Sequence, residues 1–151
     1  MIMKTYVLML SKAFPSTHKR KGEATNFEDK FRRQIKLHTI RANYELWEKR
    51  FQKIKAQEAC LSVRQWTGAP YRSKQVEIAR LTIRDGIGIQ KMLINESVSY
   101  PLISPRMSST PVSWIKLAFY DGLSLEDWKE WFKNYDLSKP LAIIHFTNFR
   151  Y

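Results

Sequence analysis

Cysteine is almost missing from this chain: Cys60 is the single one among 151 residues, so no disulfide can close within it and no thiolate cluster can hold a metal. Cys60 sits in an apolar stretch with no neighbouring histidine, which predicts a buried, inert thiol rather than a nucleophile. His18, His38 and His145 lack ligand-type spacing; no metal is expected, no cofactor is implied, and His38 and His145 are expected to pack or hydrogen-bond. Long hydrophobic runs are missing too. The run from Tyr6 to Leu10 is too short for a signal peptide and nothing approaches a membrane span, so the expectation is a soluble, cytoplasmic protein with no membrane partner. Gly86-Ile87-Gly88 has no third glycine and no following helix, which excludes a dinucleotide fingerprint. Acidic residues are the scarcer charge, 14 against 26 Lys and Arg, giving +12 and a pI near 9.9. Such a surplus raises the local concentration of polyanions and points to RNA or a nucleotide-like ligand.

What is present is ordinary globular material. Apolar residues make up 44% and aromatics 13%, enough for one domain over 1–151 that buries about two-thirds of its unfolded surface. Tyr6–Leu10 reads as a first, buried strand, and Ser11–Asn26 as a polar loop. Asn26 is a candidate cap for a helix from Phe27 to near Ile35, and Asn43 for one reaching about Gln57, with Tyr44, Trp47, Phe51 and Ile54 as its apolar stripe. Ala59–Trp66 alternates like a half-buried strand. Val76–Arg84 reads as a strand whose apolar phase changes between Ile78 and Leu81, the mark of a bulge or bend suited to a closed barrel. Ile87–Ile94 is a further strand and Asn95–Ser113 a long loop. A short helical segment from about Trp114 closes at Asp121-Gly122, Ser124 opens a helix to near Asn134, and Leu141–Phe149 is the last strand. Strands and helices do not alternate regularly, which predicts an α+β domain on a small, mostly antiparallel β-barrel with short flanking helices.

The charge is concentrated. Between Lys12 and Arg41 nine Lys or Arg face three acids, a surplus equal to half the net charge of the whole chain. That region ends in Lys36-Leu37-His38-Thr39-Ile40-Arg41, where a cation, a hydroxyl and a guanidinium share one β-prone segment. Lys and Arg are rarely buried unpaired, so the segment is expected to face a groove, an anionic ligand or water.

Two segments together resemble the ASCH domain family of PUA-like small β-barrels. Lys36-Leu37-His38-Thr39-Ile40-Arg41 is similar to the family's lysine-x-x-threonine-isoleucine-arginine segment. Asp121-Gly122-Leu123-Ser124 through Phe132 is similar to its acid followed by a capped helix ending in Trp-Phe. The resemblance implies a PUA-like barrel and two functions. Many members are regarded as RNA-binding modules, whereas some small ones hydrolyse acetylated cytidine. The hydrolytic members use a lysine and a threonine of the first motif with a glutamate before the capped helix. Carried over, that nominates Lys36, Thr39 and Asp121 as catalytic, with Asp in place of Glu, and gives Arg41 a ligand-binding or scaffolding role.

Amide hydrolysis needs a base and a group that stabilises the oxyanion. Lys36 serves as the base only if desolvation or a neighbouring cation, Arg33 or Arg41, depresses its pKa. Thr39 would supply a hydroxyl or orient water, and Asp121 would hold Lys36 or shuttle a proton. Thr39 and Arg41 share a strand face, so Lys36, three residues before Thr39, must precede the strand or sit across a bulge to converge with them. The competing reading is an ordinary Lys36–Asp121 ion pair with Thr39 chosen for β-propensity. For RNA, the cationic candidates are Lys19, Arg20, Lys21, Arg33, Arg41, Arg64, Arg72 and Lys74, joined by Lys30 and Arg32, with Tyr71 and Trp66 as stacking groups. RNA or nucleotide binding over a floor of Lys36, Thr39, Arg41 and Asp121 is the first expectation. Hydrolysis of an acylated nucleoside is the alternative, and a protein-interaction module the third.

Overall fold

A computed structural model describes residues 2–151. The described elements run β1 (Lys4–Met9), α1 (Phe27–Arg32), β2 (His38–Arg41), α2 (Tyr44–Lys55), β3 (Ala59–Trp66), β4 (Gln75–Leu81), β5 (Gly88–Leu93), β6 (Leu102–Ser104), α3 (Trp114–Tyr120), α4 (Leu125–Phe132) and β7 (Leu141–His145). A 3-10 turn, Ile83–Asp85, follows β4.

The chain is α+β, but the expected closed, PUA-like barrel is overturned. The strands form two separate sheets, one of three in the order β1-β3-β4 and one of four in the order β2-β7-β5-β6. In the first sheet β1 runs parallel to β3, and β4 antiparallel to it. The second is antiparallel throughout. No ladder joins the two sheets among the described residues. Helix α2 joins them instead, lying against β3 of one and against β5 and β7 of the other. Its stripe of Trp47, Phe51 and Ile54 is buried. A helix thus fills the space that a continuous barrel wall would have enclosed.

Several local expectations shift for the same reason. Tyr6–Leu10 is not a buried strand: β1 is a sheet edge, and within it only Leu8 is buried. Ala59–Trp66 is not half-buried, because β3 is the central strand of its sheet and its first five residues are all buried. The irregularity expected in β4 is present. Val63 pairs with Ala79 and Arg64 with Glu77, leaving Ile78 between them, but it bends an open sheet. The strand stops at Leu81 rather than Arg84 because Thr82 and Asp85 form a reciprocal cap for the 3-10 turn. The long loop after β5 contains β6, which pairs with β5. Helix α1 ends at Arg32, short of Ile35, where Gln34 takes a left-handed φ of 56°. Among the described residues no helix is long and apolar enough to cross a membrane.

Candidate functional site

The segment after α1 is fastened at both ends. The amides of Ile35 and Lys36 donate to Lys30 O, at 2.8 and 3.0 Å. Leu37 N donates to Tyr120 O at the end of α3, and Phe146 N, just past β7, donates to Leu37 O. Lys36 therefore precedes β2, as convergence with Thr39 requires. Its side chain runs past Gly122, whose φ is +86° and where an added Cβ would lie 3.2 Å from Lys36 Cδ. Glycine is needed there for both reasons.

Lys36 is 2% exposed and Asp121 3%. Lys36 Nζ donates to the Asp121 carboxylate at 2.8 Å and to its backbone carbonyl at 2.5 Å, and lies 4.2 Å above the Phe27 ring. Asp121 is the C-terminal cap of α3, and Lys30 Nζ donates to the next carbonyl, Gly122 O, at 2.8 Å. Two ammonium groups thus meet the negative end of that helix. Burial pushes the Lys36 ammonium below its ordinary value, and Asp121 only partly offsets this. Burial alone would raise the Asp121 carboxyl, but Lys36 and His38 outweigh it and hold the group below its ordinary value.

Lys36, Thr39, Arg41 and Asp121 line one cavity, walled by Phe27, Leu123, Trp131 and Phe132 among others. The two sequence motifs, 80 residues apart between Arg41 and Asp121, therefore meet in space. The cavity measures about 10 Å³, room for one water and not for a nucleoside. The floor expected to carry RNA is assembled but closed. Arg41 is half-buried, donates to Met9 O at 2.5 Å and Ile40 O at 3.4 Å, and has its pKa pushed down by burial.

Behind Asp121 stand His38 and His145, expected from the sequence to pack or hydrogen-bond, with Tyr151 and Gln90, which the sequence did not single out. His38 is fully buried, with Nδ1 3.8 Å from Asp121 Oδ1, too far for a direct hydrogen bond, and Nε2 2.6 Å from the Tyr151 hydroxyl. Gln90 links onward: its Oε1 accepts from Tyr151 N at 3.0 Å and contacts His145 Nε2 at 2.8 Å, while its Nε2 donates to Pro105 O and Tyr151 O. The Nδ1 atoms of both His38 and His145 have no hydrogen-bond partner. Burial pushes His145 down to about 2, with His38 and Arg150 adding to it, and lowers His38 as well, so both rings are neutral at neutral pH. A neutral His38 with its proton on Nδ1 would direct it toward Asp121 and leave Nε2 to accept from Tyr151. Of this polar chain, the sequence marked His38 and His145 as residues that would pack or hydrogen-bond; nothing in it marked Gln90 or Tyr151.

The surface cations divide into two groups. Lys19 pairs with Glu126, Arg20 with Asp127 at 2.5 Å and Glu23 at 3.3 Å, and Arg33 with Asp29 at 3.4 Å. These are screened by acids that the sequence count could not place beside them. Arg32 likewise pairs with Glu28 at 3.6 Å. Lys21, Arg72 and Lys74 are exposed and make no ion pair among the described residues. Arg64 donates to Ser62 Oγ and Gln75 Oε1. Tyr71, 89% exposed in a left-handed backbone, lies with its ring 5.2 Å from that of Trp66. Both line a cleft of about 870 Å³ between the turn after β3 and the Ser11–Ala24 loop, and Lys12 Nζ reaches across to Thr67 O at 3.1 Å. Among the described residues no group of three or more His, Cys, Asp or Glu side chains could hold a metal ion. Cys60 is buried, its Sγ 3.3 Å from the Arg80 guanidinium. No family model, no curated protein and no solved structure matches the chain.

Proposed function

We propose that this chain is an RNA-binding protein that holds single-stranded RNA along the cleft between the β3–β4 turn and the Ser11–Ala24 loop. The observation that carries it is the exposed Tyr71 ring beside Trp66, in a turn with the unpaired cations Arg72 and Lys74. A large aromatic left in water next to unpaired cations suits a base stacked on the ring with its phosphates on the cations. Lys21, exposed and next to Gly22 in the loop that walls the cleft, would add charge near its rim. A cytoplasmic location belongs to the same proposal, as does kinship with the ASCH domain family, which the meeting of the two motifs at Lys36 and Asp121 supports without any closed barrel. Fluorescence titration of a short labelled single-stranded RNA tests the reading. Binding should weaken steeply between 50 and 200 mM salt, and Tyr71→Ala should weaken it about tenfold, the loss expected of one stacked base. RNA affinity that ignores both salt and Tyr71→Ala would remove the proposal.

A second reading, amide hydrolysis on an acylated nucleoside, is favoured by one observation: a depressed Lys36 ammonium, Thr39 and the Asp121 carboxylate border the same water-sized cavity, which would have to open to admit the substrate. Deacetylation of acetylated cytidine followed by absorbance should then occur and be abolished by Lys36→Ala. Absence of turnover in the wild-type protein rejects this reading and leaves the first intact.

A further inference from the structure

Arg41 and Lys30 stand apart from the other cations near the Lys36 cavity: neither makes an ion pair among the described residues, and Lys30 Nζ is spent on Gly122 O. Lys36, Lys19, Arg20 and Arg33 each face a carboxylate, but Arg41 makes no ion pair among the described residues. A guanidinium carries five N–H donors in a rigid fork. Arg41 directs NH2 at Met9 O and NH1 at Ile40 O, so the remaining donors are unspent while the group is half withdrawn from water. Asp121, on the shared cavity, favours the Arg41 charge but makes no ion pair with it, so the unspent donors are best completed by an anion in direct contact.

Arg41 also borders an open depression of about 440 Å³ that shares Ser11, Arg41 and Trp131 with the small cavity. Trp47, Trp131 and Tyr135 supply aromatic wall, and no residue lining the depression is acidic. The Arg50 guanidinium lies over the Trp47 ring at 4.6 Å, adding a second positive charge beside the same indole. Trp131 is held in place by ring contacts with Phe14 and Phe27, each at 5.7 Å between centroids. The volume lies within the range of small-ligand sites, whereas the neighbouring cavity admits only water.

We infer that this depression is a mononucleotide site, with the phosphate on the Arg41 fork and the base against the indole wall. The site rests on the RNA-binding reading and deepens it: a strand stacked at Tyr71 would place one nucleotide, or its terminal phosphate, in a second pocket. It sits beside the Lys36–Asp121 pair and does not require that pair to open. A guanidinium suits this role better than an ammonium because two parallel N–H bonds match two phosphate oxygens.

Quenching of tryptophan fluorescence by a nucleoside 5′-monophosphate, with the nucleoside and inorganic phosphate as separate arms, tests the inference. The monophosphate should bind at least tenfold more tightly than either part alone. Arg41→Gln should weaken it tenfold or more, and Arg41→Lys, which keeps the charge but not the fork, by a smaller factor. Thr17→Glu provides a variant independent of the Arg41 hydrogen bonds. Thr17 is exposed on the rim, so a carboxylate there should repel the phosphate tenfold at low salt without disturbing the interior. Equal affinity in the wild type, Arg41→Gln and Thr17→Glu overturns the site. RNA retained through Tyr71 with no monophosphate binding overturns it too, and leaves the broader reading standing. Monophosphate bound through Arg41 with no RNA retained does the reverse.

Discussion

Lys36 and Asp121 illustrate how one pair of side chains can be both a structural fastening and a chemical candidate. Both are buried, and Lys36 Nζ has two oxygen acceptors on the same residue. Removing the ammonium alone strands a carboxylate away from water. We expect Lys36→Met to lower the unfolding free energy by about 3 to 5 kcal/mol, the usual consequence of breaking a buried pair from one side. Lys36→Met combined with Asp121→Asn should recover a large part of that, because no unpaired charge remains. Urea denaturation of the single and double variants measures both, and a double variant no more stable than Lys36→Met would show that the stranded charge is not the cause. Which residues form the pair could be proposed from the motifs. That the pair is dry, and that Gly122 leaves room for the lysine stem, could not.

At the scale of elements, the two asparagines that read as helix caps behave differently. Asn43 and Asn26 both precede amphipathic segments and both take left-handed backbone angles, φ 62° and 60°. Only Asn43 caps with its side chain, accepting from Leu46 N at 3.3 Å, whereas before α1 it is Thr25 Oγ1 that accepts from Phe27 N at 3.3 Å. Asn43→Ala loses both the cap and the residue type that tolerates this backbone, so it should destabilise by about 1 to 2 kcal/mol. Asn43→Gly, which keeps the backbone freedom, should cost only a few tenths of that scale. Thermal unfolding of the two variants makes the comparison, and equal losses would show that the backbone angle plays no part. The stripe of α2 was legible because a 3.6-residue period is a local property. That α2 would stand against both sheets was not, since nothing within residues 44–55 records which strands lie on its far side.

For the whole molecule, the polar chain from Asp121 through His38, Tyr151 and Gln90 to His145 makes stability depend on pH. His145 titrates near 2 when folded and near its ordinary 6.5 when unfolded, because burial disfavours the charged ring. Below 6.5 the unfolded chain therefore binds a proton that the folded chain refuses, so stability falls as pH falls from 6.5 toward 2. Each such site contributes a slope approaching about 1.4 kcal/mol per pH unit, and His38 is shifted in the same direction. Asp121, held below its ordinary value, adds stability above that value that is lost at lower pH. Chemical denaturation at pH 7 and pH 5 should show the wild type losing more stability than His145→Gln, which keeps a donor for Gln90 but does not titrate. Parallel losses in the two proteins would reject this assignment.

Legible along the chain alone were the period-based elements, the single buried thiol, the excess of positive charge and the two motifs around Lys36 and Asp121. These follow from residue chemistry and from spacing along the chain. Long-range packing settled that the strands form two open sheets joined by a helix, that Glu126 and Asp127 pair with Lys19 and Arg20, and that Arg41 makes no ion pair although Asp121 borders the same cavity. Those outcomes depend on partners up to about a hundred residues away, and the pairing of such partners is set by how the whole core packs.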